Sequence, residues 1–534
     1  MSVITLDTET TSLRYEDGTV VCLGVKIDNN KTEVYFEDIP KEIIAALETP
    51  NNLKVGHNVG FDVKLLRKRG INILGPYFDT KLAHFQLYPF ESHALKDILT
   101  KMGHTVKTYK DIVGTGKKQI TMGQVDRDII AEYCSQDVEG TYNLYTRLKD
   151  KVNEWTKNIE FELINCIVDM ETKGLWLNKS EISKIEQDYL REIGETKLKF
   201  PTLNLNSPKQ IREFLISSGY SKDLSKYVTN GGQISTNKST LNHIIKRVPI
   251  CKDILRYREL STLVKTFLSK MSGKETLIGN FNQVGAKTGR LSSSKPNLQN
   301  IPSRTADGRK IRSCIIPRLN HKFIVGDLNQ IEPRLLAFFS KDEKLLEIFN
   351  TGGDFHSAVS REIFNKTEVD KNERFIGKTV GLATLYGASS GELLDVLVSF
   401  GVDVKYARVQ EIRDSVLKSF PRARDWVKNE VFKAKKLKYI STIGGRRLPI
   451  VDSYKIVNYK IQGSASDIMK LILFNLYCMS FTILSSIHDE VIVEIKQEEI
   501  DKVHVVRHIM EKSFQLKNVP IKADCKILNS WGEK

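Results

Sequence analysis

The sequence has little of what marks a secreted, zinc-binding or membrane protein. Its 534 residues include only seven cysteines, which are widely scattered and form no C-x-x-C pair, so we expect reduced thiols and no zinc site. No apolar run is long enough to cross a bilayer, and no basic and then apolar leader follows Met1. We therefore expect a soluble protein of the cytoplasm, with an organellar location as the alternative.

Negative charge is also in deficit. Lysine and arginine number 81 against 65 aspartates and glutamates, which leaves a net charge of +16. Such a balance suits a polyanionic partner, first of all nucleic acid. A basic but merely solvated surface would explain the charge equally well. Repeats and low-complexity tracts are lacking, so we expect several domains that pack directly on one another.

Apolar periodicity predicts strands first and helices after them. The predicted strands are 3–6, 19–27 and 32–36, and the predicted helices include 62–69 and 126–152. These elements indicate an α/β domain that ends near residue 152. Residues 159–267 are mostly helical, and later strands at 323–325 and 483–495 bracket a helical block at 342–434.

A first set of carboxylates lies in the N-terminal part. Strand alternation puts Asp7 and Glu9 on one face, Asp62 stands at a strand-to-helix junction, and Tyr133 and Asp137 are four apart on a helix. Each piece alone is common in structural roles. Together they can hold two hard divalent cations that activate a water for attack on a phosphodiester, with Tyr133 orienting that water.

A second pair of carboxylates lies at two strand ends. Asp327 ends an apolar strand, and Asp489 lies in a tight turn between two others. If these strands are neighbours in one sheet, the two aspartates can share two Mg²⁺ ions beside a primer 3′-hydroxyl and a nucleoside triphosphate. Either segment alone would be ordinary turn sequence.

Between the two aspartates, a helix carries side chains at a spacing of four residues. At 3.6 residues per turn they form one slowly drifting stripe. The stripe consists of Arg374, Lys378, Leu382 and Tyr386. The Arg374 and Lys378 side chains can hold triphosphate oxygens, and Tyr386 can lie where a base and sugar stack. We expect Gly377, Gly381 and Ala383 to allow a ligand to approach closely.

The ordered motifs resemble two known families. D-T-E from residue 7, N-V-G-F-D from 58 and Y-C-S-Q-D from 133 resemble the DEDD exonucleases of the tyrosine subtype, which have an RNase H-like fold. D-L-N-Q-I-E from 327, the R-x-x-x-K stripe with its later Y-G, and H-D-E from 488 resemble motifs A, B and C of family A DNA polymerases. Segments such as T-G-R-L-S-S from 288 and P-N-L-Q-N-I-P from 296 extend the resemblance over about 160–531.

The resemblance implies a right-hand polymerase after an exonuclease domain. The implied domains are an exonuclease at 1–152 and a polymerase at 153–534, with a thumb at about 160–275, a palm at about 276–340 and 440–534, and fingers at about 341–439. The implied function is DNA synthesis from a primer with dNTPs plus 3′-5′ proofreading, in DNA replication, with a phage genome as one candidate. The implied cofactor is Mg²⁺, two ions at each site, with Mn²⁺ as an alternative.

Residue roles follow from the same resemblance. Asp327, Asp489, Asp7, Glu9, Asp62 and Asp137 would bind metal, and these six with Tyr133 would be catalytic. The nucleotide would contact Gln330, Glu332, His356, Arg374, Lys378, Leu382 and Tyr386, with Glu332 as a steric gate against a ribose 2′-hydroxyl. DNA would contact Arg290, Asn297, Gln299, Asn300, Arg446, Asn458, Gln462 and His488, and Glu490 completes motif C. The partners would be primer-template DNA, dNTPs and a single-stranded 3′-end, for a monomeric core with a possible replisome or processivity factor.

The sequence departs from the family pattern at a few positions. Leu328 stands where an aromatic residue is common, Asn329 where serine is usual, and Leu382 where the family has a phenyl or phenol ring. We expect Leu382 to slow incorporation and to maintain rejection of dideoxynucleotides. The exonuclease motif begins within ten residues of Met1, so we expect no 5′-nuclease domain and a compact enzyme of phage or plasmid type, with an organellar or truncated bacterial enzyme as alternatives.

Two rival functions stay open. A single-subunit RNA polymerase shares the hand-shaped fold, although Q-I-E of motif A and H-D-E of motif C favour DNA. A catalytically silent DNA-binding scaffold would keep the fold without the chemistry, although every expected metal ligand is present.

Overall fold

The structure is a computed structural model that describes residues 1–534 except 225, 226, 229–231, 304, 401, 403 and 451–454. The chain folds into two compact units. The first unit comprises Met1–Gly174, Asn280–Ser294 and Ile324–Ile527, and the second Leu175–Gly279, Lys295–Phe323 and Leu528–Lys534. Across the described residues, no helix combines the length and the apolar character that crossing a bilayer requires. All seven cysteines are free thiols, and six of them are buried.

The first 174 residues form a mixed sheet with helices. The strands are β1 (Val3–Thr10), β2 (Val20–Ile27), β3 (Glu33–Tyr35), β4 (Leu53–Gly56) and β5 (Tyr77–Asp79). The helices are α1 (Lys41–Glu48), α2 (Gly60–Lys68), α3 (Thr80–Leu87), α4 (Leu95–Lys101), α5 (Tyr109–Val113), α6 (Arg127–Leu148) and α7 (Leu163–Lys173). The predicted strands and helices of this region are confirmed, except that α6 ends at Leu148 rather than at 152.

The sheet of this region has the order β3-β2-β1-β4-β5. β1 runs antiparallel to β2 and parallel to β4, which is parallel to β5. The apolar side chains that alternate with Asp7 and Glu9 enter the core, where Ile4 and Leu6 are fully buried. Central β1 therefore presents its carboxylates from a rigid element.

Residues 175–316 are mainly helical. The strands are β6 (Leu175–Leu177), β7 (Thr276–Leu277), β8 (Asn280–Asn282), β9 (Ser292–Ser294) and β10 (Ile315–Ile316). The helices are α8 (Lys179–Lys199), α9 (Pro208–Ser217), α10 (Ser221–Leu224), α11 (Lys238–Ile244), α12 (Ile250–Leu263), α13 (Ser269–Met271) and α14 (Ala306–Ser313). In the second unit β10, β6 and β7 form a sheet in that order, and in the first unit β8 pairs with β9.

The remaining chain returns to strands around a block of helices. The strands are β11 (His321–Leu328), β12 (Tyr439–Ser441), β13 (Arg447–Pro449), β14 (Thr482–Ile487), β15 (Glu490–Lys496) and β16 (Ala523–Leu528). The helices are α15 (Ile331–Ser340), α16 (Glu343–Asn350), α17 (Phe355–Phe364), α18 (Lys371–Leu385), α19 (Ser390–Ser399), α20 (Tyr406–Ser419), α21 (Pro421–Leu437), α22 (Lys455–Cys478) and α23 (Lys502–Lys512). The predicted insertion of helices between strands is confirmed.

Four of the later strands form a sheet in the order β14-β15-β11-β16. β14 and β15 are an antiparallel hairpin in which Ile487 faces Glu490. Buried Ile324, Val491 and Ile492 anchor β11 and β15 in the core. β11, which carries Asp327, therefore lies beside β15, which follows Asp489. This meets the condition that the sequence analysis set for a shared site.

Candidate active sites

The first carboxylate set converges at the face of the N-terminal sheet. Asp7 and Glu9 project from β1, and Asp137 projects from α6. One carboxylate oxygen of each lies within 4.8 Å of the others. α6 comes this close because a Cβ on Gly24, which pairs with Asp7 in β2, would lie only 2.7 Å from Cys134 Sγ. Glycine at this position therefore admits the helix that carries Asp137.

The fourth acid is held in place beside this cluster. Asp62, in the first turn of α2, accepts hydrogen bonds at Oδ1 from Thr8 N at 3.0 Å and from Thr8 Oγ1 at 2.6 Å. Thr8 lies between Asp7 and Glu9 on β1, so one strand segment supplies two acids and orients a third. Tyr133, one turn before Asp137, is 5% exposed.

Burial and mutual repulsion raise the pKa values of these acids strongly. Burial raises the pKa of Asp7 well above its ordinary value, and the charges of Asp62, Glu9 and Asp137 add to it. Burial likewise raises the pKa of Glu9 to about 9 and that of Asp62 to about 7. Carboxylates crowded in this way are stabilised in the ionised form by nearby cations. Hard oxygen donors at this spacing fit a divalent cation such as Mg²⁺.

A lysine already supplies one positive charge to this cluster. The Lys96 ammonium, from the first turn of α4, forms an ion pair with Asp137. It also lies 4.1 Å from the centroid of the Tyr133 ring. The sequence reasoning missed Lys96, because 41 residues separate it from Asp137 and no local pattern links the two.

The second carboxylate pair lies where β11 meets the β14–β15 turn. Leu328 N donates a hydrogen bond to Asp489 O at 3.0 Å, which joins the end of β11 to the turn. Burial raises the pKa of Asp489 to about 6, Arg290 opposes this shift, and the charges of Glu332 and Asp327 add to it. The structure thus brings together the two aspartates that are far apart in sequence.

Arg290 connects this pair to the first turn of α15. Its Nη2 donates to Glu332 Oε1 at 2.9 Å and lies 3.8 Å from Asp489 Oδ1. The Tyr386 hydroxyl is buried and has no hydrogen-bond partner among the described residues. Burial raises the pKa of this phenol, and the charge of Glu332 adds to the shift. A buried phenol beside a carboxylate leaves the Tyr386 hydroxyl as an available donor at this site.

The arginine of the α18 stripe is already paired. Arg374 donates from Nε to Asp354 Oδ1 at 3.1 Å and from Nη2 to Oδ2 at 2.6 Å. Asp354 is the N-cap of α17, and the sequence reasoning did not identify it. Lys378, one turn further along the stripe, is exposed. His356 is 3% exposed, and burial, partly offset by Asp354, lowers its pKa to about 4.

The two glycines of α18 have a different role from the one expected. A Cβ on Gly377 would lie 2.0 Å from Ser360 Oγ and 2.6 Å from His356 O, and one on Gly381 would lie 2.9 Å from Val359 Cγ2. Both glycines thus face α17, so the expectation that they admit a ligand is wrong. They allow α17 and α18 to pack closely, which holds His356 beside the stripe.

Gln330 joins the two halves of this site. It adopts a positive φ of 52°, and its Oε1 accepts a hydrogen bond from Phe355 N at 3.0 Å. The start of α17 is thereby tied to the end of β11. Leu382 is half-buried in the stripe between Lys378 and Tyr386.

The predicted DNA contacts differ in their surroundings. Arg446 is 2% exposed, and its Nη2 donates to Asp467 Oδ1 at 2.6 Å and to Thr288 O at 2.8 Å. In this position its guanidinium holds buried loops together, and a direct DNA contact stays a prediction that this conformation does not support. Asn458 and Gln462 lie half-buried on α22.

The remaining predicted contacts are distributed over both units. His488, with a φ of 57°, forms the β14–β15 turn with Asp489, and Glu490 is buried at the start of β15. In the second unit, Asn297 caps a short 3₁₀ turn that contains Gln299 and Asn300. Their roles toward DNA stay predictions.

Comparisons with known proteins cover nearly the whole chain. The family model described as DNA polymerase family A matches residues 177–533, and the one described as 3′-5′ exonuclease matches residues 1–153. DNA polymerase I of Chloroflexus aurantiacus is 28% identical over 99% of this chain and 61% of its own length. DNA polymerase I of Borreliella burgdorferi is 29% identical over 99% of this chain and 62% of its own length. The chain therefore spans about three-fifths of these relatives.

A solved structure has the same fold. It is described as the POL domain of Pol1 from M. smegmatis in complex with DNA primer-template and dNTP. The two chains superpose with a TM-score of 0.85 at 22% identity, over 99% of this chain and 96% of the other. These matches confirm the predicted fold class.

Proposed function

The chain belongs to DNA polymerase family A, and on that premise we propose that it extends the 3′-end of a DNA primer with dNTPs and removes nucleotides from the same end by hydrolysis. The observation that carries synthesis is the Leu328–Asp489 backbone bond, since it joins two strand ends that each carry a motif aspartate. The observation that carries hydrolysis is the separate cluster of Asp7, Glu9 and Asp137. We propose an exonuclease domain at 1–152 and a polymerase domain at 153–534, with the thumb, palm and fingers bounds that the resemblance implies.

Both sites suit divalent cations through the chemistry of their donors. The half-buried Asp7 and the buried Glu9 and Asp137 have carboxylate oxygens within 4.8 Å of one another and offer hard oxygen ligands. The raised pKa of Asp489 marks a carboxylate that gains from a nearby cation. We propose two Mg²⁺ ions at each site, with Mn²⁺ as a substitute. When bound, they lower the pKa of the attacking oxygen and neutralise the leaving oxygen.

In the polymerase site the protein would position the substrates. Asp327 and Asp489 would bind the cations. Arg290, which donates a hydrogen bond to Glu332, would hold Glu332 as the steric gate against a 2′-hydroxyl. Arg374 would exchange Asp354 for triphosphate oxygens, and exposed Lys378 would bind them without such an exchange. The Tyr386 hydroxyl, which lacks a described partner, would donate to Glu332 or the incoming nucleotide.

In the exonuclease site the protein would hold a water and the primer end. Burial raises the pKa of Tyr133, so its hydroxyl stays protonated and can donate a hydrogen bond to the attacking water. Asp62, which Thr8 fixes in place, would be a further ligand of the cations. A steric gate at Glu332 would favour DNA over RNA synthesis, and the cluster of Asp7, Glu9 and Asp137 argues against a silent scaffold.

Finer features belong to the same proposal. Primer-template DNA, dNTPs and a single-stranded 3′-end are the proposed partners of a monomeric core, with a replisome or processivity factor as a further partner. We further propose a role in DNA replication, with a phage genome as one candidate template, and a cytoplasmic location.

The test is the extension of matched and mismatched primers with Mg²⁺. We expect Asp489→Ala to abolish extension and leave trimming of the mismatched primer intact, and Asp7→Ala to do the reverse. Loss of both activities in either variant would contradict two separate sites. Offering ribonucleotides in parallel separates DNA synthesis from RNA synthesis.

A further inference from the structure

The ion pair between Lys96 and Asp137 is more buried than the other ion pair on the same helix, α4. The Lys96 side chain is 16% exposed and that of Asp137 10%. On the same α4, Lys101 pairs with Glu91 at 2.7 Å, and its side chain is 67% exposed. The Lys101 pair is an ordinary solvated surface contact. Lys96, in contrast, places its charge inside a group of buried acids.

The backbone around Lys96 is well anchored. α4 packs against α6, the helix that carries Asp137 and Tyr133. The loop before α4 is tied to the start of α2, because His57 Nε2 bonds to His93 O at 2.9 Å. The backbone at Lys96 is therefore anchored, while its long side chain can still change rotamer.

Two groups share the ammonium in this position. Asp137 pairs with it, and the Tyr133 ring face lies 4.1 Å away, where a cation is attracted by the ring. A divalent cation on the Asp137 carboxylate repels the Lys96 ammonium and so weakens its contact with Asp137. The ring face offers the ammonium a second resting place, so the exchange requires no unfolding.

We propose that Lys96 is the resident counter-ion of this carboxylate cluster and competes with a divalent cation for Asp137. It thereby sets the cation concentration at which the exonuclease site becomes loaded. The inference rests on the proposed exonuclease function. Lys96 acts through Asp137 and is a positioning residue for the reaction.

The test measures cation binding directly. Mn²⁺ is titrated into the full chain and free Mn²⁺ is followed by electron paramagnetic resonance, with Asp489→Ala in every sample to weaken binding at the polymerase site. In this background we expect Lys96→Met to lower the Kd of the exonuclease site for Mn²⁺ roughly tenfold, the effect of about one pKa unit of interaction. Lys96→Arg retains the charge and is expected to leave the Kd unchanged, as is the matched control Lys101→Met.

Each outcome is decisive. Lys96→Gln serves as a second neutral variant, and circular dichroism checks that both neutral variants are folded. An unchanged or higher Kd in the folded neutral variants overturns the competition. Asp7→Ala separates this failure from that of the exonuclease itself: if Asp7→Ala leaves Mn²⁺ binding unaltered, the proposed metal site is wrong, whereas if it removes binding and the neutral variants do not tighten it, only the role of Lys96 is wrong.

Discussion

Removing the charge of Glu160 should destabilise the first unit by several kcal/mol. Lys470 of α22 places its Nζ 2.7 Å and 2.8 Å from the two carboxylate oxygens of Glu160, and the side chains are 1% and 6% exposed. Gln283 Nε2 adds a hydrogen bond to Glu160 Oε2 at 2.8 Å. Glu160→Gln removes the ion-pair partner of a buried ammonium, which costs about 3–5 kcal/mol. A typical point substitution costs about 1 kcal/mol.

The double variant Glu160→Leu with Lys470→Met tests the reason for this loss. It removes both charges and replaces them with apolar groups of similar volume, a change that is often neutral or stabilising. Gln283 keeps its bond to the Glu160 backbone carbonyl at 3.0 Å. We therefore expect the double variant to be more stable than Glu160→Gln.

Stability against pH gives an independent check with a definite sign. Burial lowers the pKa of Lys470, and Glu160 opposes that shift, so Glu160→Gln lowers this pKa further below the unfolded value of about 10.4. Between the two pKa values the unfolded chain binds more protons, and stability rises with pH. The deficit of Glu160→Gln relative to the parent should therefore be smaller near pH 9.5 than near pH 7.

Urea unfolding of the full chain, followed by circular dichroism and by tryptophan fluorescence, measures these free energies where both probes report one transition. A loss below about 1 kcal/mol in Glu160→Gln, or a double variant no better than that single variant, would refute the reasoning. Lys101→Met, which removes a solvated lysine, is the matched control and is expected to change stability by less than about 1 kcal/mol.

Three further predictions concern the two sites. Leu382→Phe should speed single-nucleotide incorporation, and Leu382→Tyr should weaken rejection of dideoxynucleotides. Unchanged rates and unchanged discrimination would contradict the expectation that Leu382 slows incorporation and maintains that rejection. Asp354→Asn should release Arg374 and lower the Kd for dNTP in single-turnover titrations roughly tenfold, as for one charged hydrogen bond; a weaker Kd would mean that Asp354 positions Arg374 for the nucleotide. Gly24→Val should push α6 outward and reduce trimming about 100-fold with extension unchanged, and equal loss of both activities would indicate general misfolding.

Local patterns in the sequence were sufficient for the elements and for the carboxylates. Asp7 and Glu9 are two apart on a strand, and Tyr133 and Asp137 are four apart on a helix, so periodicity alone places each pair on one face. Such inferences depend on spacings of a few residues, where backbone geometry determines direction. The joining of Asp327 to Asp489, in contrast, was predicted only on the condition that their strands are neighbours, and the pairing of β15 with β11 meets that condition.

Contacts between distant segments were not predictable in the same way. Lys96 approaches Asp137 only because α4 packs against α6. Gly377 faces α17 so closely that a Cβ at this position would collide with Ser360. Neither sequence neighbourhood contains a sign of its partner. The sequence therefore indicates which side chains can act, while tertiary packing determines what they contact.

The arginines of the polymerase site illustrate what that difference means for function. The net charge of +16 suggested cations available to a polyanion, yet Arg290, Arg374 and Arg446 are each paired with a carboxylate, Glu332, Asp354 and Asp467 respectively. Such pairing fixes the guanidinium groups before a substrate arrives, which reduces the conformational entropy that binding must remove. It also means that a phosphate must displace a carboxylate to reach them. Arg374, whose side chain is 44% exposed, can make that exchange. Arg446, whose side chain is 3% exposed, cannot make it without opening the core. Substitution of Arg374 should therefore weaken nucleotide binding, whereas substitution of Arg446 should lower stability.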